Sequence, residues 1–284
     1  MNLSGYPIVS VITPCFNDGH FLYLPLEAID LQTYKNIEHI IIDDGSTDPD
    51  TLNILNNLET CGKNNLKVIR QKNMGLPAAR NAGIRMSCGD LILPLDADDR
   101  ISNDAIAVMA SKLISDDSID VVYSDYQLFG NSNRVIKTGL FNSYRILYAN
   151  YMPVCSMFRK NIWQKAGGYT EIMKGFEDWE FWIKLVKIGA VFEKIDAILY
   201  FSHRHTENMW LRDKNKWKIL KTQIASLHPD LYSKKNLSLQ KSKNKITWLE
   251  DLIYKMPTNY RATLRPFIPN SLIFVMHKLK FFRK

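Results

Sequence analysis

Four short runs of apolar, largely β-branched residues, at 9–13, 37–42, 66–69 and 91–95, recur through the first hundred positions with helical patterns between them. A run that is apolar at consecutive positions suits a strand covered on both faces, as in a parallel sheet. The intervening segments 20–31, 49–58 and 76–86 read as helices, the second preceded by the cap-like Ser46-Thr47-Asp48. A βαβαβαβ order with right-handed crossovers leaves a doubly wound α/β sheet as the expected fold. Ligands of such sheets bind beyond the carboxyl ends of the strands, and polar clusters follow three of those ends here: 14–18, 43–48 and 96–99.

Beyond these, 103–114 reads as a helix and 121–129 as a strand with Asp125 inside it. After about residue 130 the alternation degrades through the loop-like Gly130-Asn131-Ser132-Asn133. Residues 176–188 form an amphipathic helix carrying Glu177, Asp178 and Glu180 with three bulky aromatics, stopped by Gly189. Residues 197–201 read as a further strand, ending in Ser202-His203-Arg204-His205. From Trp210 the pattern is helical, with apolar stripes at Trp217, Leu220, Ile224 and Leu227 and at Leu249, Leu252, Ile253 and Met256. The expected division is a domain at 1–209 and a basic helical extension at 210–284.

Charge follows the same division. Residues 1–202 carry 19 Lys/Arg against 24 Asp/Glu, whereas 203–284 carry 18 against 5, a net +13. No stretch approaches the roughly 18 continuous apolar residues of a membrane span. The first residues lack a basic n-region, and 8–13 reads as a buried strand instead of a signal sequence. Cys15, Cys61, Cys88 and Cys155 show no CxxC spacing and are expected to be reduced, so a cytoplasmic chain is expected.

The segment Leu95-Asp96-Ala97-Asp98-Asp99 places three carboxylates in four residues at a strand end. Such groups repel one another and lose hydration on burial, so a cation or polar ligand is expected to compensate them. In an extended segment Asp96 and Asp98 share one side, suited to an ion and a sugar hydroxyl, while Asp99 points away as a neighbour of the following helix cap. Mg²⁺ or Mn²⁺ with phosphate oxygens fits this donor chemistry. A capped turn before a helix is the plain alternative. Asp43 and Asp44 follow a second strand, and Arg80, in the helix that begins near Leu76, is placed to reach a diphosphate.

Together these segments resemble glycosyltransferase family two, whose members have the GT-A fold. Val9 to Asn17 (VSVITPCFN) is similar to the family's opening strand; Asp43-Asp44-Gly45-Ser46, Asn73 to Ile84 and Asp96-Ala97-Asp98 (its DxD motif) match the donor side. Gly167-Gly168-Tyr169 and Gly175 to Glu180 are similar to its acceptor-side segments, so the resemblance spans about residues 8–209. It implies that Asp44 contacts the nucleobase with Pro14 and Asn17 nearby, and that Arg80 approaches the diphosphate. Asp96 would face the ribose, Asp98 would bind the metal, and Asp178 of the ED motif would be the catalytic base of an inverting transfer. His205 falls near the family's Tyr-Arg-x-His segment, from which Tyr200-Phe201-Ser202-His203-Arg204-His205 departs, leaving His203 and His205 both open as the metal's histidine.

The implied activity is that of a metal-dependent, hexosyltransferase-type enzyme, moving a sugar from a nucleotide donor, expected to be UDP-linked, to a glycan or lipid-linked saccharide during polysaccharide assembly. A polyprenyl-phosphate glycosyltransferase and a non-catalytic nucleotide-sugar or glycan-binding module are the rivals. A dinucleotide oxidoreductase is disfavoured because no GxGxxG follows the first strand. Trp179, Phe181 and Trp182 are expected in the core, with one of them open to an acceptor sugar. Asp125 is left between a site role and a solvent-facing one. Residues 271–284 mix Leu and Phe with Lys and Arg, which suits either a helix at the anionic inner face of the cell membrane or a packing appendage. Nucleic acid is not an expected partner, since no compact recognition motif accompanies the charge.

Overall fold

The structure, a computed structural model, describes residues 6–205 and 214–255. Strands β1 (Val9–Cys15), β2 (Ile37–Asp43), β3 (Leu66–Arg70) and β4 (Leu91–Pro94) alternate with helices α1 (Tyr23–Asp30), α2 (Pro49–Thr60) and α3 (Leu76–Met86). They are followed by β5 (Arg100–Ile101), α4 (Ala105–Ser115), the hairpin β6 (Val121–Gly130) and β7 (Val135–Ile136), β8 (Met157–Arg159), α5 (Lys160–Ala166), α6 (Glu177–Lys187) and β9 (Phe192–Arg204). Helices α7 (Lys214–Leu227), α8 (Lys234–Lys243) and α9 (Trp248–Lys255) come last.

Among the described residues the strands form one sheet in the order β3-β2-β1-β4-β8-β6-β9-β5, with β7 added beside β6. The first four are parallel, so β1 lies between β2 and β4 and their carboxyl ends open on one side. Strand β8 runs antiparallel to both β4 and β6, and β6 pairs parallel with β9. The sheet is therefore mixed: the short β8 joins two parallel parts. Successive side chains of β1 go to opposite faces, Val9 and Val11 into a core with α1 and α4, and Ile12 into a core with α3, α5 and α6.

The helix expected at 20–31 begins with a turn of 3-10 helix, Gly19–Phe21, before α1. The 49–58 helix starts as its cap predicted, Asp48 accepting from the Thr51 amide at 2.8 Å. Strand β3, expected to be covered on both faces, lies at the sheet edge and is half-exposed. Strand β9 starts at Phe192 instead of 197, because β6 pairs with it along its whole length through a bulge near Asp125. All four cysteines are free, with Cys61 and Cys88 exposed.

The extension packs into the same core. Ile224 of α7 is fully buried in the cluster that contains Trp179, Phe181 and Trp182, and Trp217, Leu220 and Leu227 lie half-buried against it. Burial of a side chain of that size contributes about 1.5–3 kcal/mol, to which the half-buried Trp217, Leu220 and Leu227 add. The boundary at 209/210, Met256 and residues 271–284 lie outside the described residues. No helix among the described residues is long and apolar enough to cross a membrane.

Candidate active site

The carboxyl ends of β1 and β2 are tied together by Asn17. Its left-handed backbone (φ 58°) lets the Oδ1 accept from the amides of Thr47 and Asp48 at 2.8 and 2.9 Å, while its own amide donates to Ser46 Oγ at 3.0 Å. Pro14 is buried within β1 opposite Ile42. Asp44 is 4% exposed and accepts from Gln71 Nε2 at 2.6 Å and from the amides of Met74 and Gly75 at 2.9 and 2.8 Å. Its negative charge sits against the amino end of α3, where the helix dipole favours it.

After β4 the acidic segment is a turn, not an extended strand, with the Asp99 amide bonded to the Asp96 carbonyl at 3.1 Å. The expected division of sides nevertheless holds. The side chains of Asp96 and Asp98 are 28% and 23% exposed, whereas Asp99 is buried. Asp99 is not a helix-capping neighbour: it accepts from the Tyr200 hydroxyl and from the His203 amide at 2.7 Å. It thus anchors the end of β9, and burial, with Asp98 and Asp96 beside it, pushes its carboxyl well above the usual range.

That anchor delivers both histidines. His205 Nε2 lies 3.1 Å from Asp98 Oδ2, and His203 stacks on Phe129 at 4.7 Å with its ring 5.1 Å from that of His205. Gly130 (φ 81°) allows this, since a Cβ there would come within 2.7 Å of the His203 ring. One ligand atom each from Asp98, His203 and His205 lies within 4.8 Å of the others. A carboxylate with two imidazoles is a fitting donor set for a divalent cation, and better suited to Mn²⁺ than to Mg²⁺. Burial, with Asp96 adding to it, raises the Asp98 carboxyl to about 6 against the opposing His205, while burial lowers the His203 imidazole.

Arg80 differs from the expectation of a side chain reaching out to a diphosphate. It is 1% exposed, with Nη2 donating to Asp96 Oδ1 at 2.6 Å and Nη1 to Glu177 Oε1 at 2.5 Å. A buried guanidinium needs carboxylate partners, and these two come from different segments. Arg80 therefore links the segment after β4 to the first turn of α6. Asp178, the next residue, is half-buried, and Asn150 Nδ2 donates to its Oδ2 at 2.9 Å. Burial, reinforced by Glu177 and opposed by Asn150 and Arg80, raises its carboxyl to about 6.

Trp179, Phe181 and Trp182 are all fully buried, so none is open to an acceptor. Asp125 neither joins the site nor faces solvent: it is 1% exposed, pairs with Lys137 at 2.7 Å and Lys194 at 3.2 Å, and accepts from Thr138. Sequence reasoning missed Asn150 and the anchoring role of Asp99. No spacing marks the first; the second is foreshadowed only by the period-two burial of its neighbours.

Comparison with known proteins places the chain in a family. The model of "Glycosyl transferase family 2" matches residues 10–170. The chain is 27% identical over 255 residues to the chondroitin synthase of Escherichia coli, covering 87% of this chain but only 37% of that protein. It is 30% identical over 202 residues to an uncharacterized glycosyltransferase of Haemophilus influenzae, covering 70% of this chain and 77% of the relative. Among solved structures, S. aureus TarS 1–349 in complex with UDP-GlcNAc is similar with TM-score 0.64 and 20% identity, over 91% of this chain and 85% of that one. The likeness shows the fold, a GT-A α/β sheet with helices at its carboxyl end.

Proposed function

This chain belongs to glycosyl transferase family 2, and from that premise we propose that it moves one sugar from a UDP-linked donor to a hydroxyl of a glycan or lipid-linked saccharide, inverting the anomeric centre, in polysaccharide assembly. The observation that carries the reading is the Asp96–Arg80–Glu177 link, which ties the segment bearing Asp98 to the helix turn bearing Asp178 and so supports one site made from both. The TarS complex with UDP-GlcNAc supports a UDP donor, and the chondroitin synthase supports a polysaccharide product. The net +13 of residues 203–284 supports peripheral contact with an anionic membrane at its cytoplasmic face, where a lipid-linked acceptor would lie.

In this reading Asn17, Asp44 and the backbone near Pro14 frame the nucleoside, and Asp96 receives the ribose. Asp98 and His205, with His203 beside them, would hold Mn²⁺ or Mg²⁺, which when bound offsets charge on the departing diphosphate. Asp178 takes the proton from the acceptor hydroxyl as it attacks. A carboxyl at about 6 is ionised at neutral pH yet more basic than a solvated aspartate, which suits a general base. Asn150 holds Oδ2 of Asp178. Arg80 acts through its partners, keeping Asp96 and Glu177 in register and its charge close to the leaving group.

The test is UDP release from a panel of UDP-sugars with saccharide and lipid-phosphate acceptors, with Asp98→Asn and Asp178→Asn beside the parent. Each variant is expected to lose about 10²–10⁴-fold in kcat. Parent-like rates in both would overturn the assignment. Activity on lipid phosphate alone that survives Asp178→Asn would instead identify a polyprenyl-phosphate transferase, and UDP binding without turnover a binding module.

A further inference from the structure

The turn that starts α6 is strained, and the extension closes over it. Gly175 has φ 126° and Phe176 has φ 58° and ψ 21°, a left-handed conformation that a residue with a bulky side chain rarely keeps without support. The Phe176 ring is 9% exposed and lies edge-on to Trp217 of α7 at 5.7 Å and to Trp179 at 5.5 Å. Trp217 meets Trp179 at 6.0 Å, and Leu220 Cδ1 lies 3.2 Å from where a Cβ on Gly175 would stand. The far end of α7 is fastened to the same helix: Ile224 is fully buried, and His228 Nε2 lies 2.8 Å from Glu180 Oε1.

We propose that the helical extension is part of the catalytic apparatus, with Trp217, backed by Leu220, a positioning residue that holds Gly175–Phe176 left-handed and so aims Asp178 at the acceptor hydroxyl. The inference rests on the reading of Asp178 as the base. Without the indole, Phe176 loses its edge-on contact with α7, and a shift of its backbone toward a right-handed or extended conformation turns the first residues of α6, Glu177 and Asp178 with it. Asn17 and Asp44 take their partners from residues 46–75 and are not disturbed.

The experiment compares the full chain with its Trp217→Ala, Trp217→Phe, Phe176→Asn, Trp217→Ala/Phe176→Asn and Asp178→Asn variants by amide hydrogen exchange and by UDP release. In Trp217→Ala the amides of residues 174–180 are expected to exchange about tenfold faster or more, with those of α3 and α4 unchanged. Its kcat is expected to fall about tenfold or more, with KM for the UDP-sugar within about twofold. Trp217→Phe should restore both, and Asn at 176, which accepts the left-handed region readily, should shrink the effect of losing Trp217. Parent-like exchange and kcat in Trp217→Ala overturn the inference, as does faster exchange spread evenly over the whole chain. Parent-like activity in Asp178→Asn sinks the base assignment instead, whatever the exchange at 174–180 shows.

Discussion

Around Asp44 the chain satisfies its polar groups within adjoining βα loops, whereas around Asp178 it draws on four separate segments, the farthest being Arg80, 97 residues before Glu177. Asp44 takes its hydrogen bonds from Gln71, Met74 and Gly75, and Asn17 takes its own from residues 46–48, all in adjoining βα loops of one parallel sheet. The first turn of α6 is held instead by Arg80, 97 residues earlier, by Asn150, by Trp217 and, one turn on, by His228. A half built by short connections is stiff once the sheet forms. The other exists only after the chain has closed over most of its length, and it stores strain at Phe176 and a raised carboxyl at Asp178.

Three substitutions test that contrast, from the largest expected effect to the smallest. Arg80→Met removes the ion-pair bridge between the halves and leaves Glu177 and Asp96 without their shared cation. It should cost about 3–5 kcal/mol in urea unfolding, with Glu177→Gln in the same chain recovering part. A negligible loss would mean that the halves stand independently. Asp44→Asn turns an acceptor into a donor against the amides of Met74 and Gly75. A cost of about 1–3 kcal/mol in stability is expected, with weaker UDP binding by calorimetry and an unchanged pH profile.

Asn150→Ala should act on the other half alone, by less than about tenfold in kcat at pH 7.5. Its signature is the pH dependence. As the proposed base Asp178 would work ionised, so activity is expected above its pKa and lost as pH falls through about 6. Removing a donor that favours the ionised form raises that pKa and moves the acidic limb to higher pH. A limb that stays in place would show that Asn150 does not tune the base.

Much of the fold could be read before any coordinates, because its signals are local. Helix α3 matches the segment read at 76–86, and the strands at 9, 37, 66 and 91 begin where their apolar runs begin. Strand β8, three residues long, and β5, two long, carry too little pattern to be seen, and they form because β4, β6 and β9 offer edges to pair with. Residue types at the site were legible for the same reason that roles were not. A carboxylate after a strand announces a polar site, but whether it meets a ligand, a histidine or a buried hydroxyl depends on what the rest of the chain brings to it. Asp96, Asp98 and Asp99 show the difference within four residues, pairing with Arg80, His205 and Tyr200 respectively.

The sequence by itself determined the parallel run of the first four strands, the helices between them and the opening of polar clusters at the strands' carboxyl ends. All of these follow from periods of two and 3.6 residues acting over a few neighbours. Only the tertiary structure decided that Arg80 lies locked between two carboxylates, that Asp99 ties down the strand bearing His203 and His205, and that a helix of the extension sits on the turn before Asp178. Those arrangements come from burial. A charge or a strained backbone taken out of water must find its partner wherever packing has put one, and no local pattern in the chain records where that is.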